Sequence, residues 1–152
     1  MLAVVRPDSW NLLLFIHVAG AMALVGSLIL AGWSIRIART RGDQPAAQFA
    51  YRVLWRAVLP SYVVMRVGAQ LIASKEKVEN SDDAWVGIGF TVSDAGLLLL
   101  IIGLILAGLA ARRAKRGQSV AGSTGLRVAT ILTGVLVAAY VVAIWAMTTK
   151  PV

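Results

Sequence analysis

Five side chains able to move protons or hold a polar ligand lie inside stretches that otherwise read as hydrocarbon: His17, Arg66, Gln70, Asp94 and Tyr140. An arginine there needs a physical reason. Near the bilayer centre it costs roughly 2.5–3.5 kcal/mol on translocon scales, so it normally snorkels, meets an acid or lines a wet cavity. Tyr62, Arg66, Gln70 and Ser74 recur at intervals of four, which an α-helix stacks into one stripe, expected here to face protein. Counted inward from the ends of their apolar runs, His17, Arg66 and Asp94 all lie about 10–15 Å deep at a rise of 1.5 Å per residue. Costly groups sharing one depth on three segments offset one another by pairing. Arg66 and Asp94 are therefore the expected ion pair, with Gln70, Ser93 and Tyr140 completing a hydrogen-bonded set.

Three arrangements of this layer stay open. In one, a bidentate Arg66–Asp94 bridge fixes two helices while His17 and Tyr140 satisfy leftover groups. In another, the layer is a polar cavity open to the outer side, able to hold a headgroup, a quinone, a haem edge or protons. In the last, Arg66 snorkels outward and no shared site forms.

Other chemistry is excluded or unsupported. With no cysteine there is no disulfide, thiolate metal site or catalytic thiol. There is no nucleophile elbow, no HExxH and no glycine-rich phosphate loop after a strand. His17 with Met22, Met65 or Met147 would make a soft, copper-like set, but methionine in an apolar span is ordinary packing material. No catalytic residue, metal or cofactor is assigned from these residues, and an enzyme is not expected.

The elements that position these groups follow from composition. The 152 residues are 59% hydrophobic and only 14% charged, against about 25% charged in soluble domains, and the mean hydropathy is +0.78. Four apolar runs, at residues 9–35, 51–74, 85–111 and 126–147, are each long enough at 1.5 Å per residue to cross a hydrocarbon layer of about 30 Å. The expected fold is all-α: a polytopic, four-transmembrane-helix bundle forming one domain over residues 1–152, with no separate catalytic module. The first run, lacking a basic n-region and a cleavage site, reads as an uncleaved helix opened by Asp8 or Ser9. Its ladder Ala19, Ala23, Ser27, Ala31 suits close helix packing, as do Ser93, Gly96, Gly103, Ala107 and Ala110 in the third run; Thr130, Gly134 and Ala138 lie along one face of the fourth. Pro60 interrupts the second run and should kink it, because it cannot bond the carbonyl of Arg56. Residues 37–48, with Gly42, Asp43 and Pro45, read as a turn that makes the first two helices antiparallel neighbours.

Charge orients the bundle. The net charge is +8, but Lys and Arg cluster beside the apolar runs, so they mark cytoplasmic loops by the positive-inside pattern and not a nucleic-acid surface. Arg36, Arg39, Arg41, Arg52 and Arg56 surround the first connection; Arg112, Arg113, Lys115, Arg116 and Arg127 surround the third. The second connection carries Glu76, Glu79, Asp82 and Asp83 and suits the outer side. Trp10, Trp85 and Trp145 then fall at outer boundaries, Trp33 and Trp55 at inner ones. The expected location is a bacterial plasma membrane, multi-pass, with both termini extracytoplasmic.

The segment FIHVAGAMALVG, residues 15–26, resembles a group of small bacterial membrane proteins that includes CopD-type copper-resistance proteins and HemJ-type protoporphyrinogen oxidases. Gly26 matches the glycine nine residues after the CopD-type histidine, whereas Leu24 stands where those proteins carry tryptophan. The HemJ-type resemblance implies His17 as a haem ligand. The segments MRVGAQ, GFTVSDAG and WAMTTKP look more like an uncharacterised family of short, four-span integral membrane proteins.

A bundle of this size with one polar layer is expected to act as an accessory or regulatory component associated with a larger membrane complex. Its partners would be the lipid bilayer and other membrane subunits or copies of itself. The alternative is a haem- or quinone-binding redox protein using the outer polar layer. A transporter or channel subunit is weaker, because paired broken helices and a row of pore-lining charges are missing.

Overall fold

The structure, a computed structural model, describes residues 8–76 and 84–149. Both termini and most of the acidic connection, including Glu79, Asp82 and Asp83, lie outside the described residues, as do the side chains of Trp10, Trp85 and Met147. The described chain is all-α. It runs α1 (Asp8–Arg41), α2 (Gln44–Val53), a π-helical turn (Leu54–Val58), α3 (Leu59–Glu76), α4 (Ala84–Lys115) and α5 (Thr124–Thr149). The π turn joins α2 and α3 without a break, so four continuous helices result. All four are long and apolar enough to cross a membrane, making this a multi-pass membrane protein with a four-helix bundle.

The helices outrun the apolar windows at their basic ends, and local chemistry explains where they stop. Between α1 and α2 only Gly42 and Asp43 are non-helical, so the expected loop at residues 37–48 shrinks to two residues. Gly42 has φ +69°, which ends α1 at no steric cost. Asp43 then caps α2, its carboxylate accepting the Ala46 N–H at 2.9 Å, with Pro45 in the first turn. Helix α4 ends in a Schellman motif around Gly117 (φ +69°): the Gly117 N–H donates to Ala114 O at 3.1 Å and the Gln118 N–H to Arg113 O at 3.1 Å.

The irregularity expected at Pro60 takes the form of the π turn just before it. Pro60 offers no N–H to the Arg56 carbonyl, and the Leu59 N–H reaches back five residues to Leu54 O. On either side of this turn the helix keeps different company. Helix α2 packs on both α1 and α4, whereas α3 packs on α1 and hardly approaches α4. Helix α5 lies between α1 and α4. The bundle is thus closed at its arginine-rich end and parted at the other along the α3–α4 seam. At the closed end the two basic connections dock together, the Gly122 N–H donating to Arg39 O at 3.0 Å.

The α1 ladder is divided between two faces, Ala31 packing inward, Ser27 half-buried and only the Ala19–Ala23 part turned away from the bundle. Ala19 and Ala23 are exposed, and the packed face of α1 is Gly20, Leu24, Leu28, Ala31 and Ile35. Gly134 and Ala138 are exposed on α5, whose inward face is Leu126, Ala129, Thr133, Leu136 and Tyr140. The α4 ladder, Ser93, Gly96, Gly103, Ala107 and Ala110, is buried throughout. The physical reason for the misses is that lipid-facing and protein-facing positions are equally apolar, so small residues recur on both.

Candidate functional site

The π turn and α3 carry one wall of the site and the half of α4 away from the arginine-rich end the other. Arg66 stands ten residues after Arg56 and nine before Lys75, about 15 and 14 Å from the charged ends of its stretch. Its Nη2 donates to Asp94 Oδ1 at 3.0 Å, its Nη1 to Gln70 Oε1 at 3.3 Å, and its guanidinium lies 4.8 Å from the centroid of Phe90. One turn deeper, the Tyr62 hydroxyl donates to the Ser93 carbonyl at 3.2 Å. Side chains therefore bridge a seam where the two helix backbones stay apart. Phe90 was not singled out from sequence, although its place four residues before Asp94 puts both on one face of α4.

The stripe on α3 does not stay in protein along its length. Tyr62 is buried at 4% exposure and the Arg66 side chain retains 26%, but Gln70 and Ser74 are exposed. The stripe emerges because α3 leans on α1 and leaves α4. Across the seam the Asp94 side chain is 66% exposed. The ion pair is therefore real but open on its acidic side.

His17 joins the layer through the backbone. Its Nδ1–H donates to the Met65 carbonyl at 2.8 Å, since a carbonyl only accepts. Its Nε2 is the ring nitrogen not engaged by that carbonyl. The contact depends on two glycines. A Cβ on Gly20 would come within 2.8 Å of the Met65 backbone nitrogen, and one on Gly68 within 3.0 Å of His17 Cβ. Only hydrogen at both positions lets α1 and α3 approach closely enough for the imidazole to reach the neighbouring backbone. Neither glycine belonged to an expected ladder.

Tyr140 corrects an expectation. Its side chain is buried at 3% exposure and packs where a Cβ on Gly96 would meet its hydroxyl at 2.6 Å, yet that hydroxyl has no hydrogen-bond partner among the described residues. It does not complete the hydrogen-bonded set; Tyr62 and Ser93 do. His17, Arg66, Gln70 and Asp94 thus form two neighbouring polar contacts joined by the Met65–Arg66 peptide, with Tyr140 behind them on α5.

Chemically, the layer offers an exposed carboxylate, a guanidinium held by three partners and an imidazole. It can bind polar or charged groups and orient them. Among the described residues no three His, Cys, Asp or Glu side chains come together as a metal site. Comparison with protein-family models, with curated proteins and with solved structures finds no match to this chain.

Proposed function

We propose that the protein is an accessory or regulatory integral membrane subunit that assembles with a partner across the outer half of α4. One observation carries this reading: Asp94, in the apolar third span, leaves most of its side chain uncovered although Arg66 holds its carboxylate. A carboxylate on a lipid-facing surface is costly, and a partner helix that covers it with a donor lowers that cost. The exposed Leu98, one turn further along the same face, extends the surface with apolar contact. The basic loops of this subunit lie in the cytoplasm of a bacterial cell, with both termini outside, in keeping with the arginine clustering and the aromatic ends.

Photo-crosslinking from position 98 tests the assembly. Adducts to a membrane protein or to a second copy are expected from Leu98 and lost on Asp94→Asn, while position 131, exposed on α5, yields none to that partner. Adducts to lipid alone from position 98 would sink the reading.

Haem or quinone binding at the polar layer is the second reading, favoured by His17. An imidazole whose Nδ1–H is held by a backbone carbonyl presents Nε2 as a ligand or acceptor with fixed tautomer. Arg66, which follows Met65 in α3, and Gln70, one turn on, are the polar groups on that helix that would serve a propionate or quinone oxygen. A Soret band in the purified protein that disappears in His17→Ala supports haem; copurified quinone lost in the same variant supports the other cofactor. A purified protein carrying neither, yet crosslinked as above, leaves the subunit reading standing and this one rejected.

A further inference from the structure

We infer that the groove between α1 and α5, on a different seam from the polar layer, holds an acyl chain of an anionic phospholipid whose headgroup sits on Arg36. The groove has a volume of about 250 Å³ and is walled by Leu28, Ile29, Gly32, Thr133, Gly134 and Val137, with Thr130, Trp33 and Arg36 toward its basic end. That volume is below the roughly 300–1,000 Å³ of pockets that enclose whole drug-sized ligands; it suits a length of chain. The lining is apolar in effect as well as in composition. Thr130 and Thr133 donate their hydroxyls to the carbonyls of Leu126 and Ala129 at 2.8 and 2.7 Å, so the groove meets their methyl groups.

Its depth comes from glycine. At Gly134 a Cβ would meet nothing within 4 Å, so the space beside it is open, while Gly32 lets Thr133 approach and form the floor. At the basic end the Arg36 guanidinium lies 5.8 Å from the Trp33 ring centroid. This aromatic contact holds the charge at the groove mouth. An occupant must therefore be apolar along the groove and negative at one end. Basic pockets between membrane helices recognise acidic headgroups in this way. A second copy in the same membrane orientation would instead bring one arginine-rich end against another.

The test is native mass spectrometry of the delipidated full-length protein, titrated with phosphatidylglycerol or phosphatidylcholine of identical chains. Wild type should retain the anionic lipid preferentially. Arg36→Gln should lower its affinity about five-fold, the contribution of one basic residue near a lipid surface, and leave phosphatidylcholine unchanged. Gly134→Leu, which fills open space, should reduce retention of both lipids without lowering thermal stability. Arg112→Gln removes the same charge away from the groove and should keep the wild-type preference. Equal retention of the two lipids by wild type would overturn the inference. So would equal losses in Arg36→Gln and Arg112→Gln, which would assign the preference to general surface charge.

Discussion

Arg66 and Asp94 show how a charge survives in a span: each is stabilised by the other, and Arg66 also by Gln70 and the face of Phe90. Because Asp94 is mostly uncovered, the penalty for deleting one partner should fall below the roughly 3–5 kcal/mol of a fully buried pair. In a double-mutant cycle in detergent, Arg66→Ala and Asp94→Ala should be coupled by about 1 kcal/mol; additivity within about 0.5 kcal/mol would mean that the residues act independently. Tyr140 is the opposite case. Its buried hydroxyl has no partner among the described residues, and an unsatisfied polar group costs about 1–3 kcal/mol. Tyr140→Phe should accordingly raise thermal stability, whereas Gly96→Ala should lower it by forcing a Cβ to within 2.6 Å of that hydroxyl. A loss of stability in Tyr140→Phe would show that the hydroxyl is bonded after all.

At the scale of elements, the α1–α3 crossing is set by two positions without side chains. Gly20→Val should push Met65 away and break the His17 contact, lowering the melting temperature, while Gly26→Ala, where a Cβ meets nothing within 4 Å, should be neutral or slightly stabilising. Equal losses for the two would remove the close crossing as the cause. The π turn has the complementary role. It stands where the second span stops packing on α4, so that α3 can follow α1 and leave the seam that Tyr62 and Arg66 bridge.

The whole molecule is asymmetric along the membrane normal, closed and basic at one end and parted at the other. Docking of the two basic connections, through Arg39 and Gly122, means that both must lie on the same side of the membrane. The proposed orientation, with the arginine-rich end in the cytoplasm, follows the positive-inside bias and is open to test. A cysteine placed at Gln44 in intact cells should resist an impermeant thiol reagent and react only after permeabilisation. Labelling before permeabilisation would invert the topology without disturbing the bundle.

Hydropathy alone determined the class, the four spans and their basic ends, because the cost of placing a residue in hydrocarbon is a local property of its side chain. The shared depth of His17, Arg66 and Asp94 was legible for the same reason: a helix rises by a constant step, so sequence position converts directly to depth. Which face each helix turns inward was decided only by the tertiary structure. In a bilayer the outside is as apolar as the inside, and a leucine or alanine on α1 carries no mark of its direction. Hence Ala19 and Ala23 looked like packing positions, Gly20 and Gly68 did not, and the lack of a partner for the Tyr140 hydroxyl among the described residues could not be read. The open seam beside Asp94 depends on how α3 divides its contacts between α1 and α4, a property of paired surfaces that no single helix contains.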